Sequence, residues 1–560
     1  MDLSHPYLSS QLIAYIGNKR ALLPFLAGVF RRAVPDPSRA AFLDPFSGSG
    51  SVSRLARFLG FAVEACDLEE YARVVCSCHL ETAASEVPGL FRSLGGLEAV
   101  LRDLNGLPAP AVEDRYIARH YAPRDTATAD YRTERLFYTT ENALKIDAIR
   151  GRIERWYPGE GRDGRERKEK TLLLALLIHQ ASLRANTSGV FKACHKGFGG
   201  HGKDALGRIL SPVLLEPPVF IDAPRPSRAF RTDAVSFLRG RRADLCYMDP
   251  PYATHQYGSN YFMLNTVALW DRPPVDGSRG PDGRLRHKAG IRGDWTDTRS
   301  AFCYRKSAAS AFREVLEAAD CRKLVVSYSN EGLLPLEELC DMLSGTGSLE
   351  IVGRDYVKYR GGKQSASRSV YNMECVLICD RHGRPGRARE READHRRVRQ
   401  ALALRRFGLL LKGSYRPDRV RAAFSVDGET LLLPGRGGVP VRLAMPQLFR
   451  FDASCAAADL PASARGMLER TLPACACVDR EEEARALLEI ARGPLPRGQK
   501  AAWLRLLLTV SRKLAHRKNR DRFESLMVDL KALSAETPDF PAFRRGVEAL
   551  EEIGRRRFAG

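Results

Sequence analysis

Short apolar runs of strand length alternate with longer runs of helical spacing along the first 380 residues, in an order that predicts an α/β sheet. Ala41-Phe42-Leu43-Asp44 predicts a buried strand that runs into a glycine turn and then a helix over residues 51–59. Residues 61–67 predict the second strand, and Leu245-Cys246-Tyr247-Met248 a later one. Residues 323–328 and 374–379 predict two more, with a helix over 333–343 between them, so the sheet is expected to be mainly parallel with an antiparallel final pair. Residues 21–30 read as an apolar helical stretch. From about residue 88 to residue 229 the periodicity is mostly helical. One helix there begins at a cap in Thr139-Thr140-Glu141-Asn142, another covers 171–185, and the charged stretch 162–170 predicts an exposed loop between them. Beyond a charged, partly helical connector at 381–399, residues 422–443 alternate like β structure around a turn at Val426-Asp427-Gly428-Glu429. Four amphipathic helices are then expected over 481–492, 500–514, 522–533 and 543–553.

Asp249-Pro250-Pro251-Tyr252 follows the apolar run that ends at Met248. Two prolines cannot continue a central strand, so the chain must turn there, at the strand end where ligands gather in open α/β sheets. A carboxylate and the Pro250 carbonyl can both accept hydrogen bonds from an exocyclic amine, and Tyr252 offers a stacking face, a set suited to holding a flipped-out base. The plain alternative is a proline-rich turn with Asp as an ordinary turn residue.

The second signal is Asp44-Pro45-Phe46-Ser47-Gly48-Ser49-Gly50 between strand and helix. Glycines remove Cβ where backbone passes close to a ligand, and Ser51 or Ser53 is expected to cap the helix. The third glycine of the dinucleotide fingerprint is missing, which favours a nucleoside without a pyrophosphate. Asp67 stands 23 residues after Asp44, near the spacing at which an acid meets ribose hydroxyls. Upstream, Tyr15-Ile16-Gly17-Asn18-Lys19 precedes the first helical stretch and brings a lysine near a ligand carboxylate.

Taken in order, YIGNK, FLDPFSGSG, an acidic strand end, a long insertion and DPPY resemble an adenine-specific DNA methyltransferase of the Dam-like (alpha) group. Residues 256–262 and 264–266, Phe137-Tyr138-Thr139-Thr140-Glu141-Asn142, Asn186-Thr187-Ser188-Gly189-Val190 and Tyr359-Arg360-Gly361-Gly362-Lys363 resemble stretches of restriction-modification members. The resemblance implies a Rossmann-like class I fold that uses S-adenosylmethionine. Its catalytic domain is expected at 1–87 with 230–380, a helical target-recognition insertion at 88–229, and an extra α+β accessory domain at 381–560.

Residue by residue, the resemblance implies that Tyr15, Gly17 and Lys19 close over the cofactor. Asp44, Phe46, Gly48 and Gly50 form its loop, Asp67 accepts the ribose hydroxyls, and Asp233 meets the adenine ring. Asp249, Pro250, Pro251 and Tyr252 form the catalytic loop. The adenine amine shares its lone pair with the ring, so its grip by Asp249 and the Pro250 carbonyl prepares a direct in-line transfer with no covalent enzyme intermediate and no metal. Gln256, Tyr257 and Asn260, together with Lys358, Arg360 and Lys363, are candidates for gripping DNA, and Lys192 and Lys196 sit in a glycine-rich loop, 186–202, expected to read bases. Cytosine N4, RNA or a protein amide are alternative acceptors, and a non-catalytic DNA-binding protein is the alternative of another class.

A formal net charge of +22 in 560 residues favours a polyanionic partner, double-stranded DNA under this reading. Residues 381–560 hold 37 Lys and Arg against 22 Asp and Glu, so the excess is concentrated there, in a segment with no recognisable nuclease pattern. A separate restriction endonuclease is a possible partner, and a monomer is the default. No signal peptide or membrane-length apolar run is read, and the 13 cysteines lack paired CxxC spacing, which predicts a reducing cytoplasm without zinc.

Overall fold

A computed structural model describes residues 2–199, 205–329, 332–355, 373–383, 407, 410, 414–428, 430–435, 439–444, 460–516 and 519–558. The chain divides into two compact units, the first carrying the described residues up to 383 and the second those from 407 onward.

In the first unit seven strands form one sheet: β1 (Ala41–Asp44), β2 (Ala62–Asp67), β3 (Arg228–Arg231), β4 (Arg242–Met248), β5 (Asp320–Ser329), β6 (Ser348–Asp355) and β7 (Met373–Asp380). Their order is β3-β2-β1-β4-β5-β7-β6, parallel through β5, with β7 antiparallel to both β5 and β6. The expected parallel sheet with an antiparallel end is therefore present, enlarged by β3 and β6, which are too short or too polar to stand out in the pattern. The winding reverses between β1 and β4, where Phe42 pairs with Leu245 and Leu43 with Cys246, so Asp44 and Asp249 leave the same edge of adjacent strands. Such a switch point opens a crevice for ligands.

Helices α1 (Leu23–Ala33) and α2 (Ser51–Leu59) bury one face on β1 and β2, with Phe30, Phe42, Leu55 and Phe61 fully enclosed. Gly50 lies at φ +75°, and no side chain caps α2; the expected serine cap is replaced by Ser53 turning its hydroxyl to Asp44. Buried Arg57 on α2 donates to the carbonyls of His79 and Thr82 at the end of α3 (Glu70–Glu81), which satisfies groups that helix leaves open.

Within the insertion, α4 (Thr140–Trp156) begins as expected, with Thr139 Oγ1 accepting the Asn142 N–H. The next helix, α5 (Gly164–Leu183), corrects the expected loop at 162–170. Asp163 caps it by accepting from Arg165 and Glu166, and its charges are paired: Lys170 reaches Glu154 and Arg165 reaches Glu169. Residues 172–178 of α5 are buried in one continuous core with α3 and α6 (Phe262–Leu269), so the insertion shares its interior with the sheet-flanking helices. Helices α7 (Ala308–Ala318) and α8 (Leu336–Ser344) complete the sheet's cover.

In the second unit, strands β8 (Val426–Asp427), β9 (Thr430–Leu433) and β10 (Val441–Ala444) make an antiparallel sheet. They share a core with helix α9 (Ala462–Cys475), which the sequence pattern did not reveal. Helices α10 (Arg480–Arg492), α11 (Arg497–Leu514), α12 (Arg520–Glu536) and α13 (Pro541–Phe558) enclose a separate core, each a little longer than its apolar stripe. The connector at 384–399 lies outside the described residues. Among those described, no helix is long and apolar enough to cross a membrane.

Candidate active site

The sharp turn at Gly17, φ +78°, aims the N-terminal segment back over the sheet edge. Tyr15 is half-buried and packs on Tyr257 and Tyr261, with ring centroids 5.0 and 4.9 Å away. The Tyr261 hydroxyl accepts the Ile16 N–H at 2.7 Å, and the Tyr257 hydroxyl donates to the Ile16 carbonyl at 3.2 Å. Two tyrosines from the segment after the DPPY loop thus fix the main chain just ahead of Lys19. The result is an ion pair: Lys19 Nζ is 2.9 Å from Asp249 Oδ1, with Lys19 only 3% exposed. Nζ also lies 5.3 Å from the centroid of the Tyr252 ring. Lys19 is thus held against the aspartate of the DPPY loop, on the wall where the sequence places it.

On the other wall, the glycine turn meets the second acidic strand end. Gly48 lies at φ +51° and donates its N–H to Asp67 Oδ2 at 2.9 Å; a Cβ at Gly48 would fall 2.7 Å from the Tyr15 ring. Asp67 Oδ1 accepts the Glu69 N–H, which holds the carboxylate plane. Asp44 is fully enclosed, accepting from the Ser53 hydroxyl at 2.5 Å and from the Phe46 N–H at 3.3 Å. Burial pushes its pKa up to about 7, those two hydrogen bonds oppose the rise, and the charges of Asp249 and Asp67 add to it.

These parts border one cavity of about 370 Å³, within the size range of small-ligand sites. Tyr15, Gly17, Lys19, Asp44, Phe46, Gly48, Asp67, Asp233, Asp249, Pro250, Pro251 and Tyr252 all line it. Gly50 stands one turn behind, packed on Cys76. Asp233 caps the short helix Ala234–Leu238 by accepting the Ser236 N–H, and presents its end to the cavity. A cradle without Cβ, an enclosed acid beside the turn and further carboxylates around the wall fit a ligand that carries hydroxyls and positive charge. Among the described residues no cluster of His, Cys, Asp or Glu is placed to hold a metal ion.

Several lining residues escaped the sequence reading. Glu69, 2% exposed, bonds Asn265 Nδ2; burial and then the charge of Asp67 push its pKa up to about 7, against the pull of Asn265 and Thr298. Residues 297–302 supply a wall segment that lies between α6 and α7 in sequence and has no periodicity to mark it. Phe302 packs edge-on against Phe46 at 5.2 Å, then Phe312, Tyr328 and Tyr252 follow in successive edge contacts, an aromatic arc from the glycine turn to the DPPY loop.

The residues expected to grip DNA fall into four groups. Gln256 and Asn260 are buried: Gln256 bonds the backbone of Ser300, and the Asn260 carbonyl accepts the Phe191 N–H, so both brace neighbouring segments instead of facing solvent. Tyr257 is half-buried against Tyr15. Lys192 and Lys196 are exposed, with Lys196 above the Tyr131 ring. Lys358, Arg360 and Lys363 lie outside the described residues.

Residues 15–189 and 227–318 match the family model for D12 class N6 adenine-specific DNA methyltransferase. Among curated proteins, the chain is 28% identical over 352 residues to Type II methyltransferase M.NlaIII of Neisseria lactamica, covering 62% of this chain and 93% of that one. It is 30% identical over 359 residues to Type II methyltransferase M.FokI of Planomicrobium okeanokoites, covering 63% of this chain and 50% of that one. It is 28% identical over 358 residues to Type II methyltransferase M.CviAII of Paramecium bursaria Chlorella virus 1, covering 64% of this chain and 96% of that one. No solved structure matches it.

Proposed function

Since this chain belongs to the D12 class N6 adenine-specific DNA methyltransferases, we propose that it binds S-adenosylmethionine in the cavity beside Gly48 and methylates the amino group of an adenine swung out of duplex DNA. When bound, S-adenosylmethionine supplies an activated methyl group on a sulfonium. Tyr15, Gly17, Phe46 and Gly48 would hold it, Asp67 would accept its ribose hydroxyls, Asp233 would meet its adenine, and Asp44 would answer its positive charge.

The chain's own work is to prepare the amine. Asp249 and the Pro250 carbonyl accept its two N–H bonds, which draws electron density back onto a nitrogen that otherwise shares its lone pair with the ring. Lys19 fixes the orientation of the Asp249 carboxylate, so little reorganisation is needed at the moment of reaction. Tyr252, held by its edge contact with Tyr328 at 5.7 Å, offers a ready face on which the extruded base stacks, offsetting part of an extrusion cost of a few kcal/mol. Lys192 and Lys196 meet phosphates near the site. The biological setting we infer is cytoplasmic protection of a specific sequence alongside a separate restriction endonuclease, as the relatives named Type II methyltransferases suggest.

The observation that carries this reading is the 2.9 Å pairing of Lys19 with Asp249 on the wall of a cavity that Asp44, Gly48 and Asp67 also border. The test is transfer of labelled methyl groups to duplex DNA followed by nucleoside analysis. Label should appear in N6-methyladenine, and Asp249→Ala should abolish it while cofactor binding persists. Label found only in RNA or protein would overturn the assignment.

A further inference from the structure

The 38 residues between α6 and α7 contain a surface hairpin that the catalytic scheme does not use. Gly280-Pro281-Asp282-Gly283 makes its turn, Arg279 bridges Leu285 antiparallel, and the Arg286 N–H reaches the Ser278 carbonyl at 3.0 Å. Leu285 is its one buried side chain between residues 276 and 288, so hydrophobic burial contributes little to holding it.

Instead, polar groups of the insertion fasten its base. Buried Arg135 donates to the carbonyls of Asp276 and His287, on the two arms, and to that of His120. Tyr121 donates to the Gly290 carbonyl at 2.9 Å, and the Arg132 carbonyl accepts the Leu285 N–H at 3.0 Å. A buried guanidinium whose two terminal nitrogens bond three main-chain carbonyls rigidifies what it clamps, and here it clamps an element that presents Arg284, Arg286, His287 and Lys288 to solvent. Arg284 faces Asp282 at 3.4 Å and His287 faces Asp276 at 3.3 Å; among the described residues Arg286 and Lys288 form no ion pair.

Position adds a second argument. Arg132 and Lys196 both lie over the Tyr131 ring, at 5.4 and 5.5 Å, and Lys196 belongs to the loop whose Lys192 charge is felt at Cys303. Cys303 in turn bonds the His255 carbonyl, just past the DPPY loop. The Tyr131 ring thus joins Lys196 and Arg132, and the Arg132 carbonyl joins the hairpin, so the loop at 192–196 and the hairpin form one basic region.

Resting on the reading of duplex DNA as substrate, we propose that the hairpin at 276–288 is a DNA-docking element whose Arg284, Arg286 and Lys288 neutralise phosphates flanking the target adenine. A two-stranded ribbon is narrow enough to follow a groove, and a rigid base keeps its charges in register with the catalytic pocket.

The test is the salt dependence of binding to a duplex oligonucleotide, read by fluorescence anisotropy on the full chain. The triple variant Arg284→Ser, Arg286→Ser, Lys288→Ser should bind at least tenfold more weakly and lower the slope of log K against log salt by about three. Arg284→Lys with Arg286→Lys keeps the charge and should keep the slope. Cofactor affinity should stay within about twofold in both, since these side chains do not line the cavity. An unchanged slope in the triple variant overturns the proposal, as does a triple variant that also loses cofactor binding. The assay reads DNA binding directly, so its failure is distinct from a failure of wild type to methylate adenine.

Discussion

The side-chain amide of Gln256 grips the peptide of Ser300 from both sides, donating to its carbonyl at 3.1 Å and accepting its N–H at 2.9 Å. Gln256 follows the DPPY loop and Ser300 lies in the wall segment at 297–302, so this buried fork ties the catalytic loop to one side of the cofactor cavity. Two such hydrogen bonds together hold about 1–3 kcal/mol. Gln256→Ala should raise KM for the methyl donor roughly tenfold by the same principle, with kcat changed much less. Steady-state kinetics decide it, and a fall in kcat at constant KM would count against the bracing role.

Lys19→Met removes the ammonium at 2.9 Å from Asp249 without changing the length of the side chain greatly. The carboxylate then loses the partner that fixes its orientation toward the amine. The chemical step should slow by about 10²–10³ at neutral pH, the range for losing one preorganised electrostatic partner. Single-turnover rates check this, and an unchanged rate would remove Lys19 from the catalytic account.

Gly48→Ala places a Cβ 2.7 Å from the Tyr15 ring on a backbone at φ +51°. Tyr15 cannot retreat, because rings of Tyr257 and Tyr261 stack on it. Overpacking and left-handed strain should cost about 1–3 kcal/mol of stability and weaken cofactor binding more than DNA binding. Thermal unfolding and calorimetric titration read the two effects.

Asp44 and Glu69 both have pKa values pushed up to about 7 by burial, above their unfolded values. The folded chain therefore binds these protons more tightly, and the stability they contribute is full below about pH 4 and lost as pH rises through about 7. A positively charged cofactor reverses the balance by favouring the ionised acids, so its binding near pH 7 should release protons. Asp44→Asn should flatten the loss of thermal stability between pH 5 and 8 and reduce the proton release measured in buffers of different ionisation enthalpy. An identical pH dependence in the variant would exclude Asp44 as its source.

Legibility in the sequence followed how local each constraint is. The strand, glycine turn and helix from Ala41 to Leu59 could be read because Gly48 and Gly50 need positive φ, and the apolar runs on either side have the right lengths. The start of α5 was misread because Arg162 to Lys170 is as charged as a loop, whereas the Asp163 cap and the ion pairs of Arg165 and Lys170 make it helix. The hairpin at 276–288 had no readable pattern, since its anchor is Arg135, far away along the chain.

By itself the sequence determined the chemistry on offer: an acid and a bare carbonyl at a strand end forced to turn by two prolines, and a turn without Cβ beside a second acidic strand end. These follow from covalent structure and backbone sterics, which act within a few residues. Only the tertiary structure decided that β1 and β4 lie side by side, that Lys19 closes on Asp249, and that Gln256 and Asn260 turn inward while Lys192 and Lys196 stay out. Those outcomes depend on which apolar faces meet in the core, and packing between distant segments is settled by the whole fold at once.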